Sequence, residues 1–100
     1  MTTILHVTSR AAWEQARASG VHSPPELARD GFLHCCTEAQ LTFVLGRHFA
    51  GATGLVVLEV DAEATGARVD WVGSEPDQSA FPHLSGSIPV RAVLSARSLG

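Results

Sequence analysis

Five histidines in a chain of 100 residues, beside one methionine and no tyrosine, are the residues best suited to chemistry. Imidazole titrates near neutrality and serves both proton transfer and metal ligation. Three of the five stand in unusual settings. His6 alternates out of the segment Ile4-Leu5-His6-Val7, opposite in phase to Leu5 and Val7. His34 lies in Gly31-Phe32-Leu33-His34-Cys35-Cys36-Thr37, where His34 and Cys36 share one strand face and Leu33 and Cys35 the other. If the Leu33/Cys35 face packs on a core, His34 and Cys36 turn toward a groove. His83 lies in Phe81-Pro82-His83-Leu84-Ser85-Gly86, where Pro82 stiffens the backbone before the imidazole and Gly86 frees it afterwards. His22, ahead of a Ser-Pro-Pro break, and His48, near a helix end that favours a cation anyway, carry less signal.

The adjacent thiols Cys35 and Cys36 are poorly placed for a disulfide and read as two reduced, mostly buried groups. A Cys36–His nucleophile pair is open by composition but has no local signature. Neither CxxC nor HxxxH spacing occurs, so no metal is expected. Among carboxylates, Asp70 and Glu75 flank Trp71 ahead of the His83 segment and could orient an imidazole, although a solvated acid is the commoner state. Glu59 reads as an exposed strand residue. No GxGxxG, Walker, GxSxG or HExxH motif is present, which removes support for Rossmann dinucleotide folds, kinases, serine hydrolases and zincins.

The elements that must position these groups follow from local patterns. Ile4–Val7 reads as a first strand. Ser9 can cap a helix over Arg10–Ser19 that Gly20 stops, and Pro25–Arg29 makes one helical turn. Asp30-Gly31 turns into a strand over Phe32–Cys35. Thr37-Glu38-Ala39-Gln40 fits a capping box before a helix to about Phe49, with Leu41, Val44, Leu45 and Phe49 on one face. Leu55–Val60 is apolar enough for a central strand. Asp61–Gly66 reads as a turn, Ala67–Val72 as a half-buried strand, residues 73–80 as a mobile polar loop, and Val90–Leu99 as the last strand. The predicted fold is a small single α+β domain over residues 1–100, with a split, mainly antiparallel sheet and two helices.

Composition narrows the partners. Apolar residues make up 45% and charged residues 17%, which excludes a disordered polyelectrolyte. The formal charge is −3, and the seven basic residues, all arginine, are scattered, so no nucleic-acid surface is indicated. No apolar run nears the ~18 residues of a membrane span. The first residues lack a signal-peptide pattern, so the expectation is a cytoplasmic protein with a small-molecule ligand; oligomeric state is not legible.

Taken together, Ile4-Leu5-His6-Val7-Thr8, Trp13, Gly31–Thr37, Gln40, Phe49-Ala50-Gly51, Leu58–Asp61 and Phe81–Gly86 resemble a bacterial family catalogued as domain of unknown function 952. The resemblance spans nearly the whole chain. It implies a fold like that of the ADP-ribosyltransferases, whose split antiparallel sheet holds NAD in a cleft. By that likeness His6 is the ligand of the NAD ribose, with Thr8 beside it, and His34 and His83 are the catalytic proton carriers or phosphate donors. Cys36, Ser85 and Phe81 line the pocket. The chain departs from the family pattern at Ser85, where tyrosine is usual, at Cys36, where serine or threonine is usual, and at Val72, where many members carry glutamate. The implied function is transfer from NAD or another phosphorylated or ribosyl ligand. A histidine acid–base hydrolase, isomerase or cyclase, and a ligand-binding domain without turnover, are the alternatives.

Overall fold

The apolar run anticipated as a central strand is β4, Leu55–Asp61, which lies between β1 (Thr3–Ser9) and β8 (Val93–Leu99) in a three-stranded antiparallel sheet. The computed structural model describes residues 1–73 and 80–99. Leu58 stands opposite His6 on one side and Ala96 on the other. Both faces of β4 are covered, which is why its sequence does not alternate. Val56, Leu58 and Val60 pack with Ile4, Leu33, Leu84 and Ile88, whereas Val57 packs with Leu5, Val7 and Cys36.

A second antiparallel sheet has the order β3 (Leu33–His34), β6 (Phe81–Ser85), β5 (Arg68–Val72). A short ladder joins β2 (Val21–His22) to β7 (Ile88–Pro89). β6 is the middle strand of its sheet, a place from which proline is normally excluded because it lacks a ladder donor. Here the Pro82 carbonyl accepts from the Cys35 N–H at 3.1 Å, one residue beyond the end of β3. Proline lacks the N–H that would return a bond to the Cys35 carbonyl, so the ladder with β3 ends at this pair.

Helix α1 (Arg10–Ser19) begins and ends where its signals lie. The Ser9 hydroxyl accepts from the Ala12 N–H at 3.0 Å, and Gly20 closes the helix at φ 94°. α2 (Pro25–Asp30) carries proline in its first position, and α3 (Leu41–His48) follows a 3₁₀ turn over Glu38–Gln40. The Thr37 N–H donates to Gln40 Oε1 at 2.9 Å, and Leu41, Val44, Leu45 and Phe49 pack onto the Leu5–Val57 cluster.

The chain is therefore a small α+β domain with antiparallel sheets and, among the described residues, three α-helices, one more than the expected two, because α2 closes a full turn. β5 is less buried than its alternation suggested, since it is an edge strand with only Val69 partly covered. The last strand starts at Val93 because Val90–Ala92 forms a 3₁₀ turn after β7. Gly86 also has a different reason from the expected one. A Cβ there would stand 2.8 Å from that of Ala67, so close packing, not a freed backbone, requires glycine. Residues 74–79 of the anticipated polar loop, Glu75 included, lie outside the described residues.

Candidate functional site

The pairing of β3 with β6 sets His34 directly opposite His83, with ring centroids 5.5 Å apart. Phe32 stacks flat on His83, centroids 4.1 Å apart and planes 8° from parallel. His34 is well exposed, with 60% of its side chain accessible. Partial burial and the neighbouring His34 lower the His83 pKa, so that ring is held toward its neutral form.

The group that ties this pair to the core is Glu26, which sequence reasoning passed over. Proline at the start of α2 fixes the first turn and puts the Glu26 carboxylate beneath β3. Its Oε2 lies 3.3 Å from His34 Nδ1 and accepts from the His34 N–H at 3.4 Å. Its Oε1 lies 3.7 Å from His6 Nε2. His6 is 1% exposed, so the first-strand imidazole expected as a ribose ligand is enclosed. The reason is that both faces of β1 are covered, one by α3 and the other by the second sheet and α2. His6 Nδ1 stands 2.8 Å from the His34 carbonyl. A carbonyl only accepts, so Nδ1 carries the proton and Nε2 an open lone pair.

His22, set aside on sequence, is buried beside His6 with ring centroids 5.1 Å apart. Burial, then the proximity of His6, pushes its pKa down to about 4. Burial also lowers the His6 pKa, against the bond to the His34 carbonyl and the charge of Glu26. The buried histidines are thus neutral at physiological pH.

A cavity of about 810 Å³ opens over this cluster. His6, Glu26, His34 and His83 line one part, Phe43, Phe49, Phe81 and Val72 an apolar part, and Arg29, Arg47 and His48 add basic groups. The volume lies in the range of small-molecule sites. Of the residues anticipated from sequence, His6, His34, His83, Cys36 and Phe81 line the cavity. Thr8 and Ser85 do not: Thr8 sits near the end of β1 opposite Val56, and Ser85 pairs with Arg68 at the far end of β6. Cys36 reaches the cavity wall from within the Leu5–Val7–Val57 cluster, and burial pushes its thiol up to about 11. Cys35 is buried and raised further, so both thiols are free, reduced and protonated. Asp70 stands opposite His83 in β5 but pairs with Arg68 at 2.9 Å, and Glu75 lies outside the described residues.

The family model described as protein of unknown function (DUF952) matches residues 7–96. The chain belongs to the DUF952 family. Two structures of protein CC0527 from Caulobacter crescentus are similar to this DUF952 domain over nearly its full length. The X-ray structure is 32% identical with a TM-score of 0.86, covering 99% of this chain and 87% of that one. The solution NMR structure is 33% identical with a TM-score of 0.79, covering 99% and 85%. No curated protein matches the chain. Among the described residues of this DUF952 domain, no helix is long and apolar enough to cross a membrane.

Only Glu26 could have been approached from sequence, through Pro24-Pro25-Glu26 and its fixed helix start. An acid in a first turn reads by default as a complement to the helix dipole, which hides any second role.

Proposed function

We propose that this DUF952 domain is a small enzyme that binds a phosphorylated or ribosyl ligand, NAD among them, in the histidine-lined cleft. In this reading His34 is the proton carrier and Glu26 orients it. The observation that carries the proposal is the 3.3 Å approach of Glu26 Oε2 to His34 Nδ1 on an exposed imidazole. A carboxylate on Nδ1 sets the tautomer and leaves Nε2 as the base, the usual logic of an imidazole poised for proton transfer. His83, held neutral beside it, is the second carrier.

The cavity's chemistry supports an anionic ligand with a planar part. Arg29 and Arg47 offer guanidinium donors to phosphate oxygens, and Phe43 and Phe81, with rings 6.2 Å apart, offer aromatic faces. The residues present fit NAD on that donor set, and the relationship to ADP-ribosyltransferases belongs to this proposal. Bound NAD would supply a ribose carbon with nicotinamide as leaving group. The chain's own part would be to hold the phosphates with arginine, to seat the ring on phenylalanine and to carry protons at His34 and His83.

A second reading, histidine acid–base catalysis on a non-nucleotide substrate by a hydrolase, isomerase or cyclase, is favoured by one observation. Val72 lines the cavity where many family members carry an acid, whereas the Glu26–His34 pair is complete.

Histidine NMR spectra recorded during titration with NAD, ADP-ribose and ribose 5-phosphate test the proposal. It expects shifts at His34 and His83 with at least one of them. Unmoved resonances for all three ligands would overturn it, a shift without any product would leave a binding domain, and turnover of a non-nucleotide substrate alone would select the second reading.

A further inference from the structure

We propose that the cleft holds a divalent first-row metal ion, of the zinc class, between Glu26, Asp30 and His34, with His6 facing it from the buried side. The ligand atoms of Glu26, Asp30 and His34 all lie within 4.8 Å of one another. His34 Nδ1 is 3.3 Å from Glu26 Oε2 and 4.0 Å from Asp30 Oδ2. Ligands about 2.1 Å from a zinc ion stand roughly 3.4 Å apart in a tetrahedron, so modest side-chain rotation closes the set. Glu26 and Asp30 are one turn apart on α2, a spacing at which two carboxylates repel unless a cation lies between them. One imidazole with two carboxylates is a donor set that suits zinc, manganese or iron.

His6 supplies an independent observation. Its Nδ1–H is committed to the His34 carbonyl at 2.8 Å, so Nε2 presents a lone pair. That atom is buried, has no hydrogen-bond partner, and faces Glu26 Oε1 at 3.7 Å. Two electron-rich atoms therefore face each other with nothing electropositive between them. A metal ion relieves this without charging the ring. An Nδ1–H given to a backbone carbonyl with Nε2 left open is also how metal-bound histidines are commonly oriented.

Arg29 holds both oxygens of Asp30, its Nε on Oδ1 and its Nη2 on Oδ2 at 3.0 Å each, so a metal would share Oδ2 through that oxygen's second lone pair. Arginine thereby acts as an outer partner that aims the ligand and moderates its affinity. The expected absence of a metal rested on the lack of CxxC and HxxxH spacing, and these ligands come from α2 and β3 instead.

The site shares the cleft of the proposed ligand, but a metal on His34 Nδ1 leaves the ring proton on Nε2, so the metal-bound and proton-accepting states of His34 are alternatives and the metal alone is the probe. Untagged protein stripped with EDTA and dialysed is titrated with zinc chloride by calorimetry. Manganese broadening of the histidine resonances is recorded in parallel. The inference expects one equivalent bound with a Kd of about 10 μM or tighter. It expects broadening at His6 and His34 beyond that at His48, and about tenfold or more weaker zinc binding in Glu26→Gln and Asp30→Asn. Asp30 is largely at the surface, so Asp30→Asn keeps the readout if Glu26→Gln disturbs the fold. No zinc binding by the wild type, undiminished affinity in Asp30→Asn, or broadening centred on His48 would overturn the site. Zinc binding without response to NAD or ADP-ribose would sink the nucleotide proposal and leave this one standing.

Discussion

The imidazole of His22 lies 5.1 Å from that of His6, and both are enclosed, at 2% and 1% exposure. Two histidines so placed act as a reserve of acid sensitivity. Burial holds the His22 pKa at about 4 against an ordinary 6.5. Between those values the unfolded chain takes up a proton that the folded chain refuses. The contribution is therefore complete above pH 6.5, falls as pH drops toward 4, and changes no further below that. At roughly 1.4 kcal/mol per pKa unit, the loss is on the order of 3 kcal/mol. Glu26, facing His6, opposes part of it. Urea midpoints measured in EDTA should fall across this window, and His22→Gln should flatten the decline. Equal midpoints at its two ends would sink the idea.

His34 offers the opposite test, because its ring is exposed and its removal opens no cavity. His34→Ala should lower turnover of whichever substrate is found by about 10²–10⁴-fold, the usual contribution of a proton carrier. Its melting temperature should stay close to wild type. Glu26→Gln should lower turnover less, since the amide oxygen can still accept from Nδ1 and hold the ring in place. If His34→Ala keeps full activity, the imidazole carries no proton in the reaction.

What the sequence reveals and what it hides divide along contact range. Ser9 and Gly20 bound α1 because caps act within a turn of their own residue. β4 is legible because a run covered on both faces shows in its own composition. Glu26 meets His34 only after α2 and β3 fold back, and His34 meets His83 through a strand register 49 positions apart in the chain. No local pattern encodes either. His6 illustrates the remaining gap: alternation separates its face from that of Leu5, but only tertiary packing decides that both faces are covered.

The cysteines should be silent toward thiol reagents. Burial raises Cys36 to about 11 and Cys35 higher still, so thiolate is scarce at neutral pH and access is blocked. Mass spectrometry after iodoacetamide treatment should find both unmodified in the native protein and both modified in denaturant. Rapid native labelling of Cys36 would reopen the nucleophile reading.

Gly86 should resist even the smallest side chain. An added Cβ would stand 2.8 Å from that of Ala67, on the chain leading into β5, the strand that pairs with β6 and its His83. Overpacking of this kind costs about 1–3 kcal/mol. Gly86→Ala should accordingly lower the urea midpoint. Adding Ala67→Gly removes the clashing atom, so the double variant should recover stability beyond the sum of the single effects, as coupled neighbours do. Strict additivity would show that the strain lies elsewhere. Because β6 carries His83, the Gly86→Ala chain should also show a displaced His83 resonance that the double variant restores.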